Sequence, residues 1–332
     1  LTIQRQLGKD WLISGSYLGN NTIHMWAPLS LDPSVFIPGT CTAGQYGLTT
    51  AGPCSSILNT AARRALTLIN PTQGAFISGI STLDDGATAS YNAMLLSTQH
   101  RLARNFTLAA NYTWSHCIAD PVTSAIGGSY TDPNDRRLDR GNCGGIDIRH
   151  YINISGVMQS PKFSNRIVEG VAGNWQLSPI VGWHSGNAFT VSTGVDNALN
   201  NVGGQRPNLT GDPYCATRTA NCYLNPAAFL AAPVVPGTFG NLGANSLYGP
   251  SYFQVDISLS RRFMVHEQHS LELRADVFNI ENRVNLSTPV STPLTTSNFG
   301  KITGDITATG SGAAGTTTGD PRTMQLSLKY AF

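Results

Sequence analysis

The sequence predicts an all-β fold, an antiparallel transmembrane β-barrel with about nine membrane strands, and three observations support this. Segments recur in which apolar and polar residues alternate, so that one side of each strand is apolar and the other is polar. Short and long connections take turns between these segments. Only 12% of the 332 residues are charged, which is about half of the usual share in soluble proteins.

The last twelve residues, PRTMQLSLKYAF, show the alternation most clearly. One side of this segment is apolar, with Met324, Leu326, Leu328, Tyr330 and Phe332. The intervening residues are polar. In a membrane barrel the apolar side would contact lipid, and the polar side would face a wet or protein-filled interior. A strand of a soluble β-sandwich alternates in the same way, so this segment alone leaves both folds open.

The connections favour the barrel over the sandwich. The predicted strands span residues 1–7, 10–19, 91–102, 106–116, 146–158, 174–184, 252–263, 270–279 and 322–332. The short connections are 8–9, 103–105, 159–173 and 264–269, and residues 166–171 favour one helical turn; the long connections are 20–90, 117–145, 185–251 and 280–321. Outer-membrane barrels have tight periplasmic turns and long external loops, whereas a sandwich has no reason to sort its loops by length.

Composition excludes two other classes of protein. The formal net charge of +2 is nearly neutral and the basic residues are scattered, so we expect no nucleic-acid partner. No run of apolar residues is long enough for a spanning helix. Aromatic residues near the ends of predicted strands suit a membrane boundary, although β propensity alone also explains them; they are Tyr112, Trp114, Trp175, Trp183, Tyr252, Phe263 and Tyr330.

The nine predicted strands are an odd number. A bacterial single-chain barrel normally has an even number of strands, which brings both termini to the same side of the membrane. If the last strand runs towards the periplasm, so does the first, and an outward strand must precede it. The sequence therefore predicts a carboxy-terminal fragment of a longer barrel.

All six cysteines fall in or beside the long connections, in three pairs. The pairs are Cys41 with Cys54, Cys117 with Cys143, and Cys215 with Cys222. Pairs confined to single loops predict local disulfides formed in an oxidising compartment, each restricting the unfolded chain by roughly 2–4 kcal/mol. A metal site is the alternative, because His116 precedes Cys117, but no CxxC or HxxxH spacing supports it.

No motif predicts catalysis, so we expect neither an enzyme nor a cofactor. The sequence has no GxSxG, HExxH, phosphate-binding loop or GxGxxG after a strand. The acidic residues Asp132, Asp135 and Asp139 could hold calcium, but the glycine and the terminal glutamate of the common calcium loop are missing. The arginines within 136–140 instead predict a solvated, self-paired loop.

Charged residues also lie on the polar sides of two neighbouring predicted strands. They are Asp256, Arg262, Glu272, Arg274 and Asp276. Facing the lumen, they could line a transport path or contact a domain that fills the barrel. We favour mutual cross-strand pairing, because neighbouring positions on one face are close enough to interact.

Six segments together resemble the carboxy-terminal half of TonB-dependent receptors, most closely the Oar-like group with a carboxypeptidase-regulatory-like domain. The segments are SYNAMLLSTQHRLARNFTLAANYTWSHCIAD (90–120), DRRLDRGNCGGIDIRHYINISGVMQSP (135–161), GNWQLSPIVGWHSGNAFTV (173–191), GGQRPNLTGDPY (203–214), NPAAFLAAPVVPGTFGNLGANSLYGPSYFQVDISLSRRF (225–263) and LRADVFNIENRVNLSTP (273–289). The resemblance covers nearly the whole chain apart from the loop at 41–69.

The resemblance implies an outer-membrane barrel of about 22 strands whose lumen is closed by an amino-terminal plug. Residues 1–332 then form the last part of that barrel, without the plug or the regulatory-like domain. The implied partners are outer-membrane lipid, the barrel's own plug, the TonB complex and a solute of unknown identity. Leu328, Tyr330 and Phe332 match the family's sorting signal for the barrel-assembly machinery.

We therefore expect part of an energised outer-membrane transporter for a large solute. Two alternatives stay open at this point: a surface adhesin or interaction barrel, and a secreted all-β domain that binds glycans. An upstream plug is expected for the transporter and not for the adhesin. The secreted domain is expected to stay soluble without detergent.

Overall fold

The structure is a computed structural model, and it describes residues 1–103, 105–120, 130–145, 147–231, 235–266, 269–306 and 321–332. Nine long strands follow one another in a single antiparallel sheet, each paired with the next in chain order. They span Thr2–Leu7 (β1), Trp11–Ser30 (β2), Ser81–Ala103 (β3), Phe106–Asp120 (β4), His150–Gln159 (β5), Trp175–His184 (β6), Tyr252–His266 (β7), His269–Phe278 (β8) and Thr323–Ala331 (β9). This confirms the predicted strands and the alternation of short and long connections.

The strands β2 and β3 are much longer than the sequence predicted. They contain 20 and 23 residues and stay paired from Trp11 and His100 out to Ser30 and Ser81. Because about 9–11 tilted residues cross a hydrocarbon core, roughly half of this hairpin would extend beyond such a core on the side of the long connections. The polar sequence at 20–22 indicated that the strand ends there and a loop begins. The pairing of the two strands shifts register near His24, whose φ is +58°.

Each strand has one apolar and one polar face, as the alternation predicted. In β7 and β8, Ile257 lies opposite Val277 on the apolar face, and Ser258 lies opposite Asp276 on the polar face. Large apolar side chains remain exposed on the apolar face; Leu273 and Leu326 are 47% and 74% exposed. Within the described residues, this face is therefore not covered by a second layer, as expected of a surface that contacts lipid.

The sheet is open in this chain. Among the described strands, β1 pairs only with β2, and β9 pairs only with β8. Every residue of β1 and β9 is exposed. Such free strand edges present unpaired backbone groups that further strands can join.

The short and long connections lie at opposite ends of the sheet. At the short-turn end, the connection between β5 and β6 forms the helix Arg166–Ala172, where one helical turn was predicted. The other helices lie in the long connections: Ala65–Ile69, Pro71–Gly74 and the 3₁₀ turns Gln45–Gly47, Ile57–Asn59, Ala61–Arg63, Arg136–Asp139 and Pro226–Ala228. Short strands also lie there: Thr40–Cys41, Gly52–Pro53, Gly141–Asn142, Ala188–Phe189, Asn208–Leu209, Tyr214–Thr219, Cys222–Leu224, Phe229–Leu230 and Leu247–Tyr248.

Candidate functional site

The long connections pack together instead of extending singly from the sheet. We call their described residues, within 31–80, 130–149, 185–251 and 279–306, the loop platform. Its largest apolar core joins residues of two connections: Val191, Tyr223, Leu224, Ala228, Phe229, Leu242, Leu247, Phe299 and Ile302. Loops with a buried core of their own hold a defined surface, so the platform is the first candidate for a functional site.

Arg63 links the first long connection to the third through hydrogen bonds. Its side chain is fully buried, and its Nη1 and Nη2 atoms both donate to the Leu199 carbonyl oxygen at 3.2 Å. Nη1 also donates to the carbonyl oxygen of Val35, and Nε donates to Asn59 Oδ1 at 3.0 Å. Burial lowers the pKa of Arg63, while the charge of Asp196 opposes that shift.

Arg206 fastens the second long connection to the third. Its Nη1 lies 2.6 Å from Asp139 Oδ1, and the two side chains are each 7% exposed. Arg206 also donates from Nε to the Leu242 carbonyl oxygen at 2.9 Å and from Nη2 to that of Leu138 at 2.7 Å. Asp139 accepts further bonds from the backbone and hydroxyl of Thr131. The buried pair is thus almost completely hydrogen-bonded, as such pairs must be.

The prediction of a self-paired acidic loop at 131–142 is wrong. Asp139 pairs with the distant Arg206, Arg136 lies 2.5 Å from Asp84 in β3, and Arg140 lies 3.5 Å from Asp120 at the end of β4. The reason is topological, because the extended β2–β3 hairpin and β4 bring their carboxylates beside this loop. Neighbours in sequence therefore do not neutralise each other here.

The six cysteines form three disulfides in the structure, and the pairs are the predicted ones. The Cα–Cα distances are 4.9 Å for Cys41–Cys54, 5.3 Å for Cys117–Cys143 and 5.9 Å for Cys215–Cys222. The second bridge closes the base of its connection, where the Cys143 backbone also donates to the Cys117 carbonyl oxygen. All three bridges lie at the loop end of the sheet.

The first long connection lines a half-open cavity of about 610 Å³. Its walls are mostly glycine and alanine, together with the ring of Tyr46 and the side chains of Arg64 and Thr67. Within the described part of the chain, Arg64 Nε and the buried Thr67 hydroxyl have no hydrogen-bond partner, although Arg64 Nη1 donates to Ile77. The sequence does not indicate this cavity, because its lining comes from short helical turns that no periodicity marks.

A row of stacked rings lies on the polar face of the sheet at the loop end. His184 in β6 stacks between Tyr151 in β5 and Tyr252 in β7, with centroids 5.9 Å and 5.0 Å away. The sequence placed Tyr252 at a membrane boundary, but it shares its face with Asp256 and so lies on the polar side. Tyr252 precedes Phe253 in the strand, so the alternation of faces already indicates in the sequence that Tyr252 lies on the polar side.

The five charged residues of β7 and β8 lie on one polar face and are largely paired. Arg262 contacts Glu272 across the strands at 3.1 Å, and Arg274 contacts Asp276 within β8 at 2.9 Å. Asp256 has no ionic partner in the described structure and accepts from the Asn279 backbone at 2.8 Å. Whether this face lines a lumen stays a prediction.

The carboxy-terminal residues Leu328, Tyr330 and Phe332 lie on the apolar side of β9 and are 64%, 54% and 90% exposed. The Tyr330 side chain makes a polar contact, because its hydroxyl lies 2.7 Å from His269 Nδ1 in β8. The exposed ring of Phe332 contributes little to packing here. Its role as a sorting signal stays a prediction.

A family model of the outer membrane beta barrel domain matches residues 1–325. The chain belongs to this family. Its location is therefore the outer membrane, and its apolar face contacts membrane lipid. This excludes the alternative of a secreted soluble domain. The long connections are accordingly the external loops, and the short-turn end is periplasmic.

One solved structure similar to this barrel chain is the outer membrane transporter YddB from Escherichia coli. The sequence identity is 10% and the TM-score is 0.40. The match covers 99% of this chain and 31% of the transporter, so the chain spans less than two thirds of that protein. No curated protein matches the barrel chain.

Two features are absent from the part of the chain that the structure describes. No helix among them is both long and apolar enough to cross a membrane. No three of their His, Cys, Asp or Glu side chains lie close enough together to hold a metal ion.

Proposed function

We propose that the chain forms part of the barrel wall and the external platform of a TonB-dependent transporter for a large solute. The structural observation that carries this proposal is the loop platform, in which Arg63 and Arg206 join three external connections through buried hydrogen bonds. A preorganised external surface suits the capture of a ligand, because binding does not then have to order the loops. The proposal assigns no catalytic step to the chain.

The cavity in the first external loop supports capture of a solute by this platform. Its largely apolar lining and Tyr46 offer surface for a ligand body, and Arg64 and Thr67 are polar residues in the same lining. The resemblance to Oar-like receptors supports a TonB-energised mechanism. In that mechanism, a plug supplied by the same protein would close the lumen until the solute binds.

The resemblance also implies an Oar-like regulatory domain in the full protein and delivery of the barrel by the assembly machinery.

Growth on single nutrient sources tests the proposal. The strain lacking the parent gene and the strain lacking the TonB protein should share a growth defect on the same source. A matched control is a strain that carries the parent gene without its TonB box. The transport function would be contradicted if the strain lacking the gene grew as well as the unmodified strain on every nutrient source whose use requires TonB.

An adhesin is the second candidate, and the same platform, whose external loops are joined by buried hydrogen bonds, favours it. The two functions differ in what must precede Leu1 in the gene. A transporter requires a plug and a TonB box there, whereas an adhesin requires neither. The upstream sequence therefore separates them.

A further inference from the structure

The periplasmic connection between β5 and β6 carries an exposed apolar helix, Arg166–Ala172 (α1). Ile167, Val168 and Val171 are 79%, 41% and 68% exposed. Because residues three and four apart lie on the same side of a helix, these three form one stripe. Arg166 and Glu169 lie on the opposite side, so the helix is amphipathic.

The helix has a fixed position relative to the sheet. Asn165 caps its first turn by accepting from the Ile167 backbone at 2.9 Å, and Glu169 accepts from the Phe163 backbone at 2.7 Å. Trp175 at the start of β6 donates from its indole nitrogen to the Val171 carbonyl oxygen at 2.9 Å. The exposed apolar stripe is therefore held by the fold.

Arg261 ties the helix to the lipid-facing side of the barrel. This residue lies opposite Trp175 on the apolar face of β7, and its guanidinium donates to the carbonyl oxygen of Gly170 in the helix. The guanidinium lies 5.2 Å from the Trp175 ring centroid and 4.7 Å from that of Phe263. An arginine among aromatic rings at the end of an apolar strand face is typical of the headgroup level of a membrane.

The helix lies beside the surface that contacts lipid. On the same face as Trp175 and Arg261, the next row inward is Leu177 opposite Leu259, which belongs to the apolar face of the barrel. An apolar helix face beside this surface, at the periplasmic end, meets the region where phospholipid headgroups join acyl chains.

We propose that α1 is an interfacial anchor that inserts Ile167, Val168 and Val171 into the periplasmic leaflet of the outer membrane. Its ligand is phospholipid: acyl chains contact the apolar stripe, and headgroup phosphates lie beside the cationic groups of Arg261 and Arg166. The anchor fixes the depth and tilt of β6 and β7 in the bilayer. This inference rests on the outer-membrane location and does not depend on transport.

A fluorophore attached to single cysteines tests the anchor. All six native cysteines are bridged, so an introduced thiol is the reactive one. The variants Ile167→Cys and Val171→Cys carry the label on the proposed lipid side, Arg166→Cys carries it on the opposite side, and Leu259→Cys reports a lipid-facing strand. The full chain is placed in vesicles of phosphatidylethanolamine and phosphatidylglycerol that contain nitroxide-labelled phospholipid.

Labels at 167 and 171 should be quenched by the nitroxide lipid several-fold more than the label at 166, and to an extent similar to the label at 259. Iodide in the aqueous phase should show the reverse order. Equal iodide quenching at 166 and 167 would overturn the proposal, because the stripe would then face water. Protection of 167 from both quenchers would also overturn it, because a protein would then cover the helix. Quenching of the label at 259 by the nitroxide lipid shows that the chain inserts into vesicles of this composition.

Discussion

Arg206 and Asp139 form a buried ion pair between two external loops, with Nη1 and Oδ1 separated by 2.6 Å. The partners are 67 residues apart in sequence, and both side chains are 7% exposed. Neither charge can be satisfied by water if the other is removed. The pair therefore couples the folding of the second external loop to that of the third.

Removing one partner should destabilise the platform strongly. We expect Arg206→Met to lower the free energy of unfolding of the loop platform by about 3–5 kcal/mol, because Asp139 keeps a buried charge without a partner. The exposed pair of Arg262 and Glu272 provides the control, and Arg262→Gln should cost at most about 1 kcal/mol. Hydrogen exchange of the loop amides in micelles measures both. Equal protection in the two variants would contradict the coupling.

The bridge between Cys117 and Cys143 should stabilise the second external loop. Replacing both residues by serine should cost roughly 2–4 kcal/mol, since the unfolded loop regains conformational freedom. Rapid proteolysis within 130–142 is the expected readout, with the Cys215 and Cys222 double serine variant as the control at a distant loop. Mass spectrometry of the unreduced parent protein should show six hydrogens fewer than the reduced form. Free thiols at these positions would refute the bridge.

The platform should lose stability at alkaline pH through Tyr223. Burial raises the pKa of this phenol, the neighbouring Tyr214 raises it further, and Arg218 lowers it. The phenol is protonated in both states below its unfolded pKa of about 10, so stability is complete there. As pH rises towards the higher folded pKa, the unfolded state ionises first and stability falls.

The variant Tyr223→Phe tests this dependence. It removes the hydrogen bond from the phenol to the Tyr248 carbonyl oxygen and should cost about 1 kcal/mol near neutral pH. It should also flatten the alkaline part of the stability curve, measured by thermal unfolding. An unchanged alkaline slope in the variant would assign the loss of stability to another group.

Phe332 should matter for assembly more than for stability. Its side chain is 90% exposed, so Phe332→Ala removes little packing and should leave the melting temperature of the refolded chain unchanged. If Phe332 belongs to the sorting signal, the amount of folded chain in the outer membrane should fall several-fold. Lys329→Ala, on the polar side of the same strand, is the matched control. Equal amounts of the two variants in the membrane would argue against the signal.

Local alternation was sufficient to predict the nine strands, because the two faces of each strand meet different surroundings. The pairing of Arg262 with Glu272 could also be predicted, since both residues lie on predicted neighbouring strands. The outer halves of β2 and β3 were missed, because a hairpin outside the membrane no longer needs one continuous apolar side.

The platform could not be predicted from the sequence. Arg63 lies 136 residues from Leu199, and nothing in its neighbourhood marks it as buried. Arg206 was visible only as part of the segment GGQRPNLTGDPY, which carried the family resemblance without a role for the residue. Contacts between distant loops follow from the order of the strands, and alternation within one strand does not report them.

Spin labels along β7 distinguish an apolar face in contact with lipid from one covered by protein. Cysteines introduced at Ile257, Leu259, Ser258 and Ser260 are labelled in the full chain after insertion into vesicles. We predict frequent collisions with lipid-soluble oxygen at 257 and 259 and with a water-soluble nickel chelate at 258 and 260. Labels at 257 and 259 that are shielded from both reagents would contradict the account, because the apolar face would then pack against protein.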